Sequence, residues 1–95
     1  MKGAIASVEI FAHDGSGTRR LTLTLAAPER DDDGMGWSCR VALADLHRPE
    51  TIRARDSVQA LAQALARATD WLDALRSERW RLTRDRAGRE PFELA

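Results

Sequence analysis

Three side chains carry the chemistry to consider first: the one cysteine, Cys39, and the two histidines, His13 and His47. A thiolate beside an imidazole makes a nucleophile–base pair, and the same groups are zinc ligands. Their spacing supports neither use. No CxxC, HxH or HxxxH grouping occurs. Cys39 alternates with Trp37, Val41 and Leu43, where a free cysteine behaves as a small buried hydrophobe. His13 and His47 fall in turn-like segments. No serine stands in a G-x-S-x-G context, and Gly15-Ser16-Gly17 is too short for a phosphate cradle and runs into a strand. No catalytic, metal-binding or cofactor-binding residue is assigned, and no cofactor is expected.

Two charged clusters remain. Asp31-Asp32-Asp33-Gly34 offers carboxylates that suit Ca²⁺ or Mg²⁺. It lacks the spaced D-x-D-x-D-G pattern and distal Glu of a calcium loop, so it reads as a solvated loop. Residues 76–89 hold six arginines (Arg76, Arg79, Arg81, Arg84, Arg86, Arg89) against Glu78 and Asp85, with Trp80 among them. Phosphates gripped by Arg79, Arg81, Arg84 and Arg86, with a base stacked on Trp80, would make a nucleic-acid site. The plainer reading is a solvated tail whose Trp80 and Leu82 dock on the core. The whole chain balances 15 Lys+Arg against 15 Asp+Glu, and a generic nucleic-acid binder carries a basic excess.

The elements that would position these groups can be read from periodicity. Ala4 to Ala12 alternates, with Ala4, Ala6, Val8, Ile10 and Ala12 on one face and Ile5, Ser7, Glu9 and Phe11 on the other. His13 to Gly17 is a turn, and residues 18–27, with Leu21, Leu23 and Leu25, complete a hairpin. Pro28 to Gly36 reads as a loop. Residues 37–44 form a third strand, His47 to Glu50 a turn, and 51–55 a short fourth strand with Ile52 and Ala54 inward. Asp56 is a helix N-cap with Gln59 in the capping-box position. Val58, Leu61, Leu65, Ala68, Leu72 and Leu75 then mark one apolar stripe on a helix over 57–77. In 78–95 a last strand around Trp80–Thr83 is preferred to a longer helix, with Asp85 to Gly88 as a turn and Phe92 to Leu94 packing back.

A sheet face and a helix stripe each need an apolar partner, and here each is the other's largest. The expected fold is therefore α+β in two layers: an antiparallel sheet of four to five strands with one long amphipathic helix on one face. The other face carries Thr, Ser, Glu and Arg, with Ile5 and Phe11 as exceptions. Ninety-five residues make one small domain of modest stability. A hydrophobic share of 43% excludes a disordered chain, and one cysteine excludes an internal disulfide. No apolar run nears the ~20 residues of a membrane-spanning helix. The opening residues turn polar too early for a signal peptide. A cytoplasmic protein is expected.

The stretch from Pro28-Glu29-Arg30-Asp31 to Trp37-Ser38-Cys39, followed by Asp56-Ser57-Val58-Gln59-Ala60-Leu61 and Ala64-Leu65, resembles a family of small uncharacterised bacterial domains. The shared pattern is P-x-R-D … W-x-C … D-S-V-Q-A-L-x-x-A-L, and the similarity spans roughly Ile5 to Leu75. The resemblance implies this fold and a bacterial origin, and it brings no activity.

The function expected from these features is non-catalytic: a protein-interaction or regulatory module, with self-association as a homodimer. The candidate interface residues are Ile5, Phe11, Trp71 at the edge of the helix stripe, and Trp80. The alternatives are nucleic-acid binding through the arginine segment, and a small-ligand or enzymatic site between helix and sheet.

Overall fold

The computed structural model describes residues 3–94. Six strands and one helix follow in order: β1 (Ala4–His13), β2 (Thr18–Ala26), β3 (Glu29–Arg30), β4 (Trp37–Ala44), β5 (His47–Ala54), α1 (Ser57–Ser77) and β6 (Arg81–Thr83). All the pairings are antiparallel, in the order β5-β4-β2-β1-β6. The expected α+β fold, a sheet with one helix, is the observed one.

Two segments differ from the sequence reading. The loop at Pro28–Gly36 contains β3, which pairs Glu29 with Ser38 and Arg30 with Trp37. Trp37 and Ser38 also pair with β5, so β3 must lie on the opposite edge of β4, the edge that β2 uses. It is β2 resumed after an irregularity at Ala27–Pro28, and the sheet is five strands wide. The second correction concerns His47–Glu50, which is strand and not turn. The chain reverses one step earlier, at Asp45 and Leu46. Asp45 takes φ 76°, a left-handed conformation that a short polar side chain tolerates. Pro49 misleads as a turn signal because β5 is an edge strand, where a missing N–H breaks no ladder.

The helix begins and ends on local signals. The Asp56 carboxylate accepts from the Gln59 N–H at 2.7 Å, while the Gln59 side chain accepts from the Arg55 N–H at 2.9 Å. At the other end the Arg79 N–H bonds to the Arg76 carbonyl and the Trp80 N–H to the Leu75 carbonyl, both at 3.0 Å. This is a Schellman motif, with Arg79 at φ 71° in the position usually given to glycine.

The core joins Ile10, Leu21, Leu23, Leu25, Val41, Leu43 and Leu82 of the sheet to Ala60, Ala64, Ala68, Trp71, Leu72 and Leu75 of α1. The buried stripe is thus rotated from the expected one at its N-terminal half. Val58 is 76% exposed and Leu65 36%, while Ala60 and Ala64 face the sheet. Alanines let the helix backbone approach closely, and the larger neighbours are left on the flank. Trp71, expected at the stripe edge, is in the stripe and 8% exposed.

The helix lies chiefly over β4 and β5. Trp71 stacks on the His47 ring with centroids 4.6 Å apart, and Arg67 reaches Glu50 of β5 at 3.5 Å. Viewed down the helix at 100° per residue, Val58, Leu61 and Leu65 project on the side opposite Arg67. That side faces β2 and β1.

Candidate interaction surface

The three chemically strongest side chains are kept apart. Cys39 is buried near the start of β4, where its thiol donates to the Ala26 carbonyl at 3.2 Å. Burial raises its pKa and disfavours the thiolate. His47 is occupied with Trp71. His13 lies across β2 from β4 and closes a chain of hydrogen bonds at the far end of β1. The Thr83 hydroxyl has the Asp85 carbonyl at 2.7 Å as its acceptor. His13 Nε2–H then donates to Thr83 Oγ1 at 2.9 Å, and Nδ1 accepts from the Thr18 hydroxyl at 3.0 Å. This network assigns the histidine tautomer. Among the described residues no cluster of three or more His, Cys, Asp or Glu side chains is placed to hold a metal ion.

The aspartate loop is held by its own backbone and by the Asp33 carboxylate. The Asp31 N–H donates to the Gly36 carbonyl at 2.9 Å, the Gly34 N–H to the Asp31 carbonyl at 2.8 Å, and the Met35 N–H to the Asp33 carboxylate at 2.8 Å. It projects from the end of the sheet where β1 starts, because β2 ends opposite the first residues of β1.

The arginine-rich tail sits at the opposite end. β6 pairs Phe11, Ala12 and His13 with Thr83, Leu82 and Arg81, as the strand reading requires, and Trp80 precedes it. Beyond it, Asp85 gathers the loop: its carboxylate accepts from the Arg89 N–H at 3.0 Å and the Glu90 N–H at 2.9 Å. These bonds, with that to Glu90 foremost, hold the Asp85 carboxyl below its ordinary pKa. Gly88 takes φ 79°, the left-handed region that favours glycine.

Most of these arginines are turned to their own chain. Arg76 donates to the Phe92 carbonyl and Arg81 to the Gly88 carbonyl. The Arg84 guanidinium lies 5.1 Å from the Phe92 ring centroid, and that of Arg86 5.2 Å from Phe11. Phe11 is consequently 9% exposed, although it lies on the outer sheet face. Its place in the candidate interface is therefore corrected: the tail already covers it. Trp71 is corrected likewise, being covered by the helix seat and His47. Trp80 is half-buried and lines, with Leu75, Leu21 and Leu46, an apolar hollow of about 160 Å³. Ligand pockets run from about 300 to 1,000 Å³, so the hollow suits no drug-sized molecule.

Of the four candidates, Ile5 remains open, at 54% exposure. It belongs to a larger feature that side-chain types alone do not mark. β6 is three residues long and pairs with the last three of β1. The other edge of β1, from Ala4 to Ile10, has no strand beside it among the described residues. Ala4 to Ser7 are exposed on both faces. α1 starts at this same end over β4 and β5, with Val58 and Leu65 exposed on its flank.

The chain belongs to a family described as a domain of unknown function, DUF6968, whose model matches residues 8–90. The match includes the tail as far as its turn. No curated protein and no solved structure matches the chain. Among the described residues no helix is long and apolar enough to cross a membrane.

Proposed function

We propose that this DUF6968 domain acts by holding another polypeptide along the bare edge of β1, as an interaction module rather than a catalyst. One observation carries the reading: among the described residues the outer edge of Ala4–Ile10, bulged between Ala4 and Ala6 and regular from Ala6 onward, has no strand beside it. Such an edge is a template for pairing. Strand addition at an edge draws affinity from main-chain hydrogen bonds and specificity from the pockets for alternate side chains. Here Ile5 in the bulge, with Ala6 and Val8 after it, supplies the apolar contacts. The nucleic-acid alternative has weaker support, because Arg81, Arg84 and Arg86 engage their own chain.

A photo-reactive amino acid in place of exposed Ser7 tests the reading. Irradiation is expected to yield one discrete adduct, and the added substitution Ala6→Lys is expected to abolish it. No discrete adduct, or one indifferent to Ala6→Lys, overturns the reading.

A further inference from the structure

Resting on that reading, we infer that the strand completing the edge is β1 of a second copy, paired antiparallel about a two-fold axis near Ala6 and Ser7. The segment is self-complementary. Ala4–Ile10 contains no proline or glycine, is regular from Ala6 onward after a bulge between Ala4 and Ala6, and has one charge, Glu9, already 3.6 Å from Arg20 of its own chain. A two-fold axis near Ala6 and Ser7 places the two Glu9 side chains at opposite ends of the ladder. It sets Ala6 and Val8 of one copy beside the same small and branched residues of the other. Both helices then lie on one face of the joined sheet.

Charge selects the antiparallel sense. The Asp31–Asp33 loop leaves the sheet where β1 starts, and Arg84, Arg86 and Arg89 follow β6 beside the second half of β1. These charged poles are thus separated along β1. Antiparallel pairing lays the start of one β1 beside the end of the other, so each acidic loop approaches the partner copy's arginine tail. Parallel pairing would set like poles together. Complementary potentials of this kind fix register and suppress wrong partners.

The assembly also closes at two. The interface is isologous, each copy using the same patch, and pairing consumes both bare β1 edges. The outer edges left behind are those of β5, which carry Pro49 with Arg48 and Arg53 and are poor templates for a further strand.

Sedimentation equilibrium of the purified chain across the micromolar range tests this. The expected mass is twice 10.6 kDa, with weaker association at high salt. Ala6→Lys, at an exposed position, sets two ammonium groups near each other across the axis and should give a folded monomer, its far-UV circular dichroism unchanged. Thr51→Lys on the β5 edge should leave the dimer intact. A monomeric parent chain, or a dimer surviving Ala6→Lys, overturns the inference. The Ser7 photo-adduct separates the two levels. A foreign protein captured by a monomeric parent sinks the second copy and leaves the interaction reading standing; no adduct sinks both.

Discussion

The two edges of the sheet are finished differently. On β5 the helix overhangs, Trp71 stacks on His47, Arg67 reaches Glu50, and Pro49 interrupts the donors. On β1 a three-residue strand and a loop knotted around Asp85 cover the last third, and the first two thirds are bare. A free ladder is normally blunted by charge, proline or cover. The β5 edge has all three, whereas among the described residues the first part of β1 has a bulge between Ala4 and Ala6 and no cover, which is why the proposed partner strand is placed there. The contrast also separates two ways of covering an edge. β5 is protected by side chains of a neighbouring element, close in sequence. β1 is protected by backbone pairing to residues some seventy positions away.

The comparison can be broken most forcefully at Trp71. Trp71→Ala removes the helix's anchor over β5 and should cost about 3–5 kcal/mol, the usual range for deleting a buried aromatic. Urea unfolding measures it. A loss under about 1 kcal/mol would mean that the helix is seated by its alanines alone.

The cover on β1 is next in size. Thr83→Val keeps the shape but strands the His13 Nε2–H and leaves the Asp85 carbonyl without its hydroxyl donor, a penalty of about 1–3 kcal/mol. Amide exchange should then rise in Phe11–His13 while β5 is unchanged. Equal change at both edges would dissolve the distinction.

Arg79 sharpens the comparison in the opposite direction. Arg79→Gly relieves a left-handed residue in the turn that leads into β6. The relief of about 1–2 kcal/mol, less the extra backbone entropy of glycine, leaves a net gain of about 0.5–1 kcal/mol. A rise in the melting temperature is the expected result.

Smaller again is Arg67→Ala. Its ion pair with Glu50 is solvent-exposed, and such pairs contribute about 0–1 kcal/mol. Thermal melts at low and high salt should differ little from the parent.

The last prediction concerns acid. The Asp85 carboxyl is held below its ordinary value of 3.8, so its bonds support the tail at neutral pH. That support is lost as pH falls below about 3.8, through the lowered value in the folded state. Nuclear magnetic resonance should show the Arg89 and Glu90 amide shifts titrating there, and Asp85→Asn should remove the titration. An acid transition that appears first in β5 would contradict the assignment.

Much of the fold was legible because its signals are local. Alternation in Leu21–Leu25 and Trp37–Leu43 reports which side of a strand is buried, and Asp56 with Gln59 marks a helix start within one turn. The helix stripe was legible only approximately. Choosing the large residues favoured Val58 and Leu65, whereas close approach to the sheet favoured Ala60 and Ala64. Of the candidate surface, Ile5 was readable and the rest was not. Phe11 looks available until the chain returns, and Arg86, 75 positions later, is laid over it.

By itself, then, the sequence determined the element types, the faces of the central strands and the helix caps, because dihedral preference and periodicity act over a few residues. Only the tertiary structure decided where the helix sits across the sheet, which aromatics are covered, and that β6 stops after three residues. Those outcomes depend on competition among distant surfaces for the same partner. The bare edge of β1 is their remainder, a property of no single residue.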